Sequence, residues 1–253
     1  MESKSTVKKQ ILISQPEPEN SRSQYFTILQ KHNVDLHFHP FIDVEGSTVK
    51  EVRKQRVNLN DFSAVIFTSR NAMDHYFRLC EEMRITISQE TKYFCVSEAI
   101  ALYLQKYIQY RKRKVFYGNG GMVEFDALLK KHKSTGKFLL PCISIKTSHI
   151  PDYLAANGFD YQEAILYKTV AADLSELKAK DFDMLVFFSP SGVESLFENF
   201  PKFEQKNTII AAFGPNTTAM AEEFGLKVDV VAPDGQFKSM PDALLNFLKT
   251  NKW

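Results

Sequence analysis

No stretch of this chain is long and apolar enough to span a bilayer; its strongest apolar runs, such as Met184 to Phe188, are strand-sized. Met1-Glu2-Ser3-Lys4 opens no apolar leader, so a cytoplasmic protein without a membrane partner is the expectation. Cysteine is scarce. Cys80, Cys95 and Cys142 include no C-x-x-C pair, which argues against a zinc ribbon or redox pair and for reduced thiols. An excess of one charge is missing too: 32 Lys+Arg against 30 Asp+Glu leave +2, so no global field draws the chain to nucleic acid. His37 and His39 share a strand face but lack a third ligand of suitable spacing, so no metal site is expected. Gly118-Asn119-Gly120-Gly121 lacks the Gly-Lys-Ser/Thr of a phosphate loop and reads as a turn. Arg111-Lys112-Arg113-Lys114, between a helix and a strand, reads as a solvated loop.

What remains is an ordinary globular composition, 44% hydrophobic and 25% charged, in 253 residues, enough for one large or two modest domains. Short apolar runs alternate with helical patterns, the signature of an α/β fold with parallel sheets. Strands are expected at Gln10–Ser14, Ala64–Ser69, Tyr93–Ser97, Val115–Gly118, Phe138–Cys142, Met184–Ser189, Ile209–Gly214 and Val228–Ala232. Helices are expected near Asn20–Lys31, Arg70–Glu82, Glu98–Lys106, Val123–Lys131, Ile150–Asn157, Gly192–Asn199, Asn216–Phe224 and Pro241–Lys249.

The chain also echoes itself. Asp61-Phe62-Ser63-Ala64-Val65-Ile66-Phe67-Thr68-Ser69-Arg70-Asn71-Ala72-Met73 is answered by Asp181-Phe182-Asp183-Met184-Leu185-Val186-Phe187-Phe188-Ser189-Pro190-Ser191-Gly192-Val193. Each copy reads as strand, helix, an extra extended segment (Leu36–Asp43 or Gln162–Thr169), then three strand–helix units, a two-unit duplication. Either each repeat is its own domain, or the extended segments cross, so that each domain borrows its first strand and helix from the other copy. In both copies strands end in hydroxyl-rich corners that open helices. Such corners leave backbone N–H groups unpaired at the positive end of a helix, which suits a ligand with many anionic groups.

Val186-Phe187-Phe188-Ser189-Pro190-Ser191-Gly192-Val193, Phe213-Gly214-Pro215-Asn216-Thr217-Thr218-Ala219, Ile165-Leu166-Tyr167-Lys168-Thr169, Thr68-Ser69-Arg70-Asn71-Ala72 and Leu140-Pro141-Cys142 resemble, in order, the motifs of the uroporphyrinogen-III synthase family. The resemblance implies two α/β lobes, each with a parallel sheet flanked by helices, joined by two antiparallel linker strands with a cleft between. It selects the crossing arrangement: residues 1–39 with 172–253 form one lobe, 44–163 the other, and 40–43 with 164–171 the hinge. It further implies a monomeric, cofactor-independent enzyme acting on hydroxymethylbilane, an open-chain tetrapyrrole with a carboxylate on every acetate and propionate arm. The product is uroporphyrinogen III, with the last ring inverted.

Tyr167, in the place of the family's Tyr-x-Thr tyrosine, is the catalytic candidate; phenols are protonated at neutral pH and can assist a departing hydroxyl. Strand alternation sets Lys168 on the opposite face, making it the poorer choice. Substrate carboxylates are assigned to Thr68, Ser69 and Asn71; to Ser189, Ser191 and Gly192; and to Gly214, Asn216, Thr217 and Thr218. Lys146, in the place of a basic residue common in the family, and Ser97, where members carry the Gly of Gly-x-x-Thr-Ala, complete the set, with Arg70 and Lys238 as supplementary cations. The alternative is a non-catalytic two-lobed protein that binds a tetrapyrrole or another polyanion. On its side are Ser97-Glu98-Ala99-Ile100-Ala101 for the family's Gly-x-x-Thr-Ala and Pro141-Cys142-Ile143-Ser144 where members carry Arg-Gly; Tyr167 stands against it.

Overall fold

The β-branched and aromatic runs become strands, and the amphipathic stretches behind them become helices. The computed structural model describes residues 8–19, 23–119, 121–144, 149–177 and 182–250. The chain begins β1 (Lys9–Ile13), α1 (Gln24–Lys31), β2 (Val34–Phe38), β3 (Ile42–Gly46), α2 (Val49–Lys54), β4 (Ala64–Phe67), α3 (Arg70–Glu82). It continues β5 (Lys92–Cys95), α4 (Glu98–Tyr103), β6 (Val115–Tyr117), α5 (Met122–Lys131), β7 (Phe138–Ile143), α6 (Ile150–Ala156), β8 (Tyr161–Ala171). It closes β9 (Met184–Phe187), α7 (Pro190–Asn199), β10 (Ile209–Phe213), α8 (Pro215–Glu223), β11 (Val230–Ala232), α9 (Met240–Lys249).

The chain divides into two units, Met1–Asp43 with Val170–Trp253, and Val44–Thr169, so it passes between them inside β3 and inside β8. In the first unit the described strands form the order β11-β10-β9-β1-β2, every pairing parallel. The order in the second is β3-β8-β7-β4-β5-β6, parallel from β8 through β6. Helices cover both faces, which is what a parallel sheet with crossover connections requires.

Strand alternation divides each core in two. In the first unit Ile11, Ile13, Met184 and Val186 pack on Tyr25, Ile28, Leu244 and Leu248 of α1 and α9, while Leu12, Leu185, Phe187 and Ile210 pack on Val193, Leu196 and Ala221 of α7 and α8. In the second, Val65, Phe67, Tyr93 and Cys95 meet Val52, Met73, Tyr76 and Ala101; Ala64, Ile66, Phe94 and Leu140 meet Phe125, Leu129, Ile150 and Leu154.

Three local expectations change. The extended segment at 36–43 is two strands: Val34–Phe38 pairs with β1, whereas Ile42–Gly46 lies beside β8. Pro40 falls between them, and its missing N–H suits such a break. The linker that follows holds the helix α2, opened by a capping box in which Thr48 and Glu51 satisfy each other's backbone N–H. In the basic run Lys112 and Arg113 are exposed, but Lys114 is buried, donating to the Gln89 carbonyl and lying 2.8 Å from Glu90 Oε1. A buried ammonium needs such partners.

β1 reaches its place between β9 and β2 from far away in sequence, and Asp183 fastens it there. Its carboxylate accepts from Gln10 N at 2.8 Å and from Lys9 Nζ at 2.7 Å, and its own N–H donates to the Gln10 carbonyl at 2.9 Å. Asp183→Ala removes a charged acceptor from a half-buried backbone donor, so a stability loss of about 1–2 kcal/mol is expected. Urea unfolding measures it; an unchanged midpoint would show that Asp183 does not hold β1.

Candidate active site

Parallel strands point their carboxyl ends the same way, so the corners that follow them gather along one edge of each sheet. In the first unit the strand order reverses between β1 and β9, and open α/β sheets bind ligands at such a switch point. Ser14 follows β1 and Ser189 follows β9. Ser189 caps α7, its Oγ accepting from Gly192 N at 3.1 Å, with Ser191 half-buried in the same turn. Gly192 is buried, and a Cβ there would lie 3.4 Å from Ser189 Oγ and 3.8 Å from Ser14 Oγ, so the corners of β1 and β9 adjoin. Ser14 thus joins a group that motif reading assigned to Ser189, Ser191 and Gly192. The neighbouring corner follows β10: Gly214 takes φ +89°, where a side chain would be strained, and caps α8 without a side chain. Asn216 is exposed in the first turn, Thr217 is buried, and Thr218 Oγ1 bonds back to the Gly214 carbonyl at 3.1 Å. Thr218 spends its hydroxyl on the helix.

In the second unit the reversal lies between β4 and β7. Thr68 and Ser69 follow β4, and Ser69 caps α3 by accepting from Ala72 N at 3.0 Å; Asn71 is exposed in the first turn. The same Ser69 Oγ lies 3.1 Å from the Tyr167 hydroxyl. Tyr167 gets there through an irregularity. Cys142 pairs with Ile165 but Ile143 pairs with Tyr167, so Leu166 is an extra residue on β8. The bulge turns both Leu166 and Tyr167 inward, against simple alternation. Tyr167 is 6% exposed, its ring lying along the His75 imidazole, centroids 5.4 Å apart and planes 18° apart. Lys168 turns elsewhere and pairs with Glu45 at 3.4 Å.

The remaining candidates are less committed. Ser97 precedes α4 half-buried without capping it by side chain. Arg70 lies over the Tyr103 ring, 5.3 Å from its centroid, and Lys238 is exposed. Lys146 lies outside the described residues. His37 bonds Gln10 Oε1 at 2.6 Å, and among the described residues no cluster of His, Cys, Asp or Glu could hold a metal. Burial pushes the Cys80 thiol up to about 11 and the Cys95 thiol to about 12, which keeps both protonated and unreactive.

His75 was not singled out by motif, because nothing in a helix pattern marks which residue meets a distant strand. Burial lowers its pKa below the ordinary 6.5; the neighbouring Arg78 lowers it further, and Asp74 opposes them.

Two α/β units carry hydroxyl-bearing helix N-termini along the carboxyl edges of their sheets, and the buried Tyr167 phenol is hydrogen-bonded at one such terminus. The family described as Uroporphyrinogen-III synthase HemD matches residues 23–242, and the chain belongs to it. The chain is 23% identical to the uroporphyrinogen-III synthase of Chlorobaculum parvum, over 95% of its own length and 100% of that protein. Over 70 residues it is 37% identical to a Methanothermobacter thermautotrophicus protein named for the same activity, spanning 26% of this chain and 28% of that one. The crystal structure of uroporphyrinogen-III synthetase from Helicobacter pylori has the same fold, with a TM-score of 0.59 and 18% identity over 96% of this chain and 99% of that one. No helix among the described residues is long and apolar enough to cross a membrane.

The depressed His75 pKa makes stability depend on pH. Below about pH 6.5 the unfolded chain binds a proton that the folded state resists, so stability present at neutral pH falls as pH drops toward the folded pKa. His132, lowered by burial and by Lys92 and Lys131, adds to the fall with the same sign. The melting temperature is therefore expected to fall between pH 7.5 and pH 5.5, and to fall less in His75→Phe. Identical pH slopes for the two proteins would exclude His75 as a contributor.

Proposed function

We propose that this protein closes hydroxymethylbilane to uroporphyrinogen III in tetrapyrrole biosynthesis, with Tyr167 as the acid that assists loss of the substrate's terminal hydroxyl. The observation that carries this is the 3.1 Å contact between Tyr167 and the N-cap Ser69. Ser69 Oγ accepts the Ala72 N–H through a lone pair, so its own proton is free to donate to the phenol oxygen. The phenol proton is then available to the substrate. Breaking the C–O bond releases water and leaves an azafulvene; the far end of the bilane attacks it through a substituted ring position, giving a spiro intermediate. The spiro centre then breaks its original bond to the bridging carbon of the third ring, which becomes a new azafulvene. The last ring, now inverted, attacks that carbon through its unsubstituted position, and the ring proton lost from that position restores the acid. No electrons are exchanged with a second reactant, so the scheme needs no cofactor.

Unguided closure gives the I isomer, so holding the bilane bent is the larger part of the task. We assign carboxylate binding to the first-turn N–H groups and hydroxyls of the corners at Thr68–Asn71, Ser97, Ser189–Gly192 and Gly214–Thr218. Rigid amide donors cost little ordering entropy. The site works in this reading as a cytoplasmic monomer without nucleic acid. A purely binding role is not favoured, because a helix N-cap hydrogen-bonded to a buried phenol is more than carboxylate capture requires.

Tyr167→Phe is expected to lower turnover by about 100-fold with folding intact, the range for a positioned acid. Parent protein supplied with freshly generated hydroxymethylbilane should yield mainly the III isomer. Only the I isomer would overturn the synthase reading; unchanged turnover in the variant would remove Tyr167 from it.

A further inference from the structure

Tyr167 is held by more than Ser69. Its ring lies along His75, in the second turn of α3 after the N-cap. Arg78, one turn further, donates from Nε to His75 Nδ1 at 3.4 Å, which places the imidazole proton on Nε2. Arg78 Nη2 also donates to the Ser47 carbonyl at 2.7 Å, and Nη1 pairs with Glu82 at 2.7 Å. Ser47 in turn grips β8 at its bulge: its N–H donates to the Leu166 carbonyl at 2.8 Å and its Oγ to the Ile165 carbonyl at 3.0 Å. Gln55 takes hold from another side, donating to that Ile165 carbonyl at 2.9 Å and accepting from Ile165 N at 2.8 Å. The contacts make a closed ring, from Tyr167 through His75, Arg78 and Ser47 back to the residues before Tyr167.

Gly46 makes this ring possible. A Cβ there would lie 2.6 Å from His75 Nδ1, 2.8 Å from His75 Cε1 and 2.6 Å from Arg78 Nη2. Only a residue without a side chain lets the β3 backbone close against the imidazole and the guanidinium together.

We infer that His75, braced by Arg78 against Gly46 and Ser47, is a positioning residue that sets the orientation of the Tyr167 phenol; this rests on Tyr167 being the acid. A flat ring against the phenol limits rotation of the tyrosine side chain, and the bulge held by Ser47 and Gln55 limits its displacement along the strand. The hydroxyl is left the one direction that Ser69 completes. Misplacement of a reacting group by about 1 Å costs on the order of 100-fold in rate, so loss of one wall should be visible in turnover without weakening carboxylate binding.

The test is a double-mutant cycle on turnover. His75→Ala should lower kcat about tenfold with KM within about twofold of the parent, and His75→Phe, which keeps a flat ring, should recover most of that loss. In a Tyr167→Phe background, where no phenol remains to be aimed, His75→Ala should cost nothing further in kcat. An equal fold loss in both backgrounds would overturn the inference, as would a kcat unchanged by His75→Ala in a protein that Tyr167→Phe slows. A normal rate in Tyr167→Phe alone would instead sink the reading of Tyr167 as the acid. Should His75→Ala not fold, Arg78→Met carries the same cycle, since it removes the Nε–H brace and leaves the imidazole; a loss absorbed by Tyr167→Phe supports the inference and an additive one overturns it.

Discussion

Leu166, the extra residue that β8 carries opposite the Cys142–Ile143 step, sets the geometry on which the phenol depends. In a regular strand Ile165 and Tyr167 would share a face, and Ile165 is exposed at 38% whereas Tyr167 is buried at 6%. The bulge breaks that equivalence, sending the tyrosine in to α3 while its neighbour stays out. The displaced peptide groups around the bulge do not go unpaired. Ser47 and Gln55 take them up, and a strand irregularity that leaves no buried polar group stranded costs little to keep.

The hydroxyl-rich corners obey a broader constraint. Parallel pairing obliges every strand to be re-entered from the same end, so a helix N-terminus follows the carboxyl end of one strand after another. Ser69, Ser189 and Ser239 use the hydroxyl to cap the helix, whereas Gly214 caps with backbone at φ +89° and Ser97 makes no side-chain cap bond. Capping and ligand binding are compatible here. A cap satisfies the N–H it accepts from, Ala72 after Ser69 and Gly192 after Ser189, and leaves the earlier donors of the first turn. Thr218 is the exception among the corner hydroxyls, since it bonds to the carbonyl of Gly214 within its own helix.

Around Tyr167 the electrostatics favour neutral partners. His75 is kept uncharged by burial and by Arg78, and the Arg78 guanidinium is balanced by Glu82. Nearby, burial pushes the Asp74 carboxyl up, but hydrogen bonds from Tyr107, Tyr103 and Lys106 outweigh it and hold the carboxyl below its ordinary value. That carboxylate is thereby spent on its own neighbours. The phenol thus meets an uncharged hydroxyl and an uncharged ring.

Much of this was readable along the chain because it is local. Apolar runs bounded by Ser, Thr or Gly mark strands and corners, and Arg70–Glu82 matches the observed helix from end to end, since a serine N-cap and a periodic apolar face depend only on near neighbours. The family motifs carried Tyr167 and the corner residues for the same reason. Tertiary structure alone decided that 34–38 and 42–46 join different sheets, that Ser14 adjoins Gly192, and that Gly46, His75 and Arg78 wall in the phenol. Each of these pairs residues far apart in sequence through strand order and a one-residue slip in register. No short-range pattern encodes such contacts, because they exist only once separate elements have packed together.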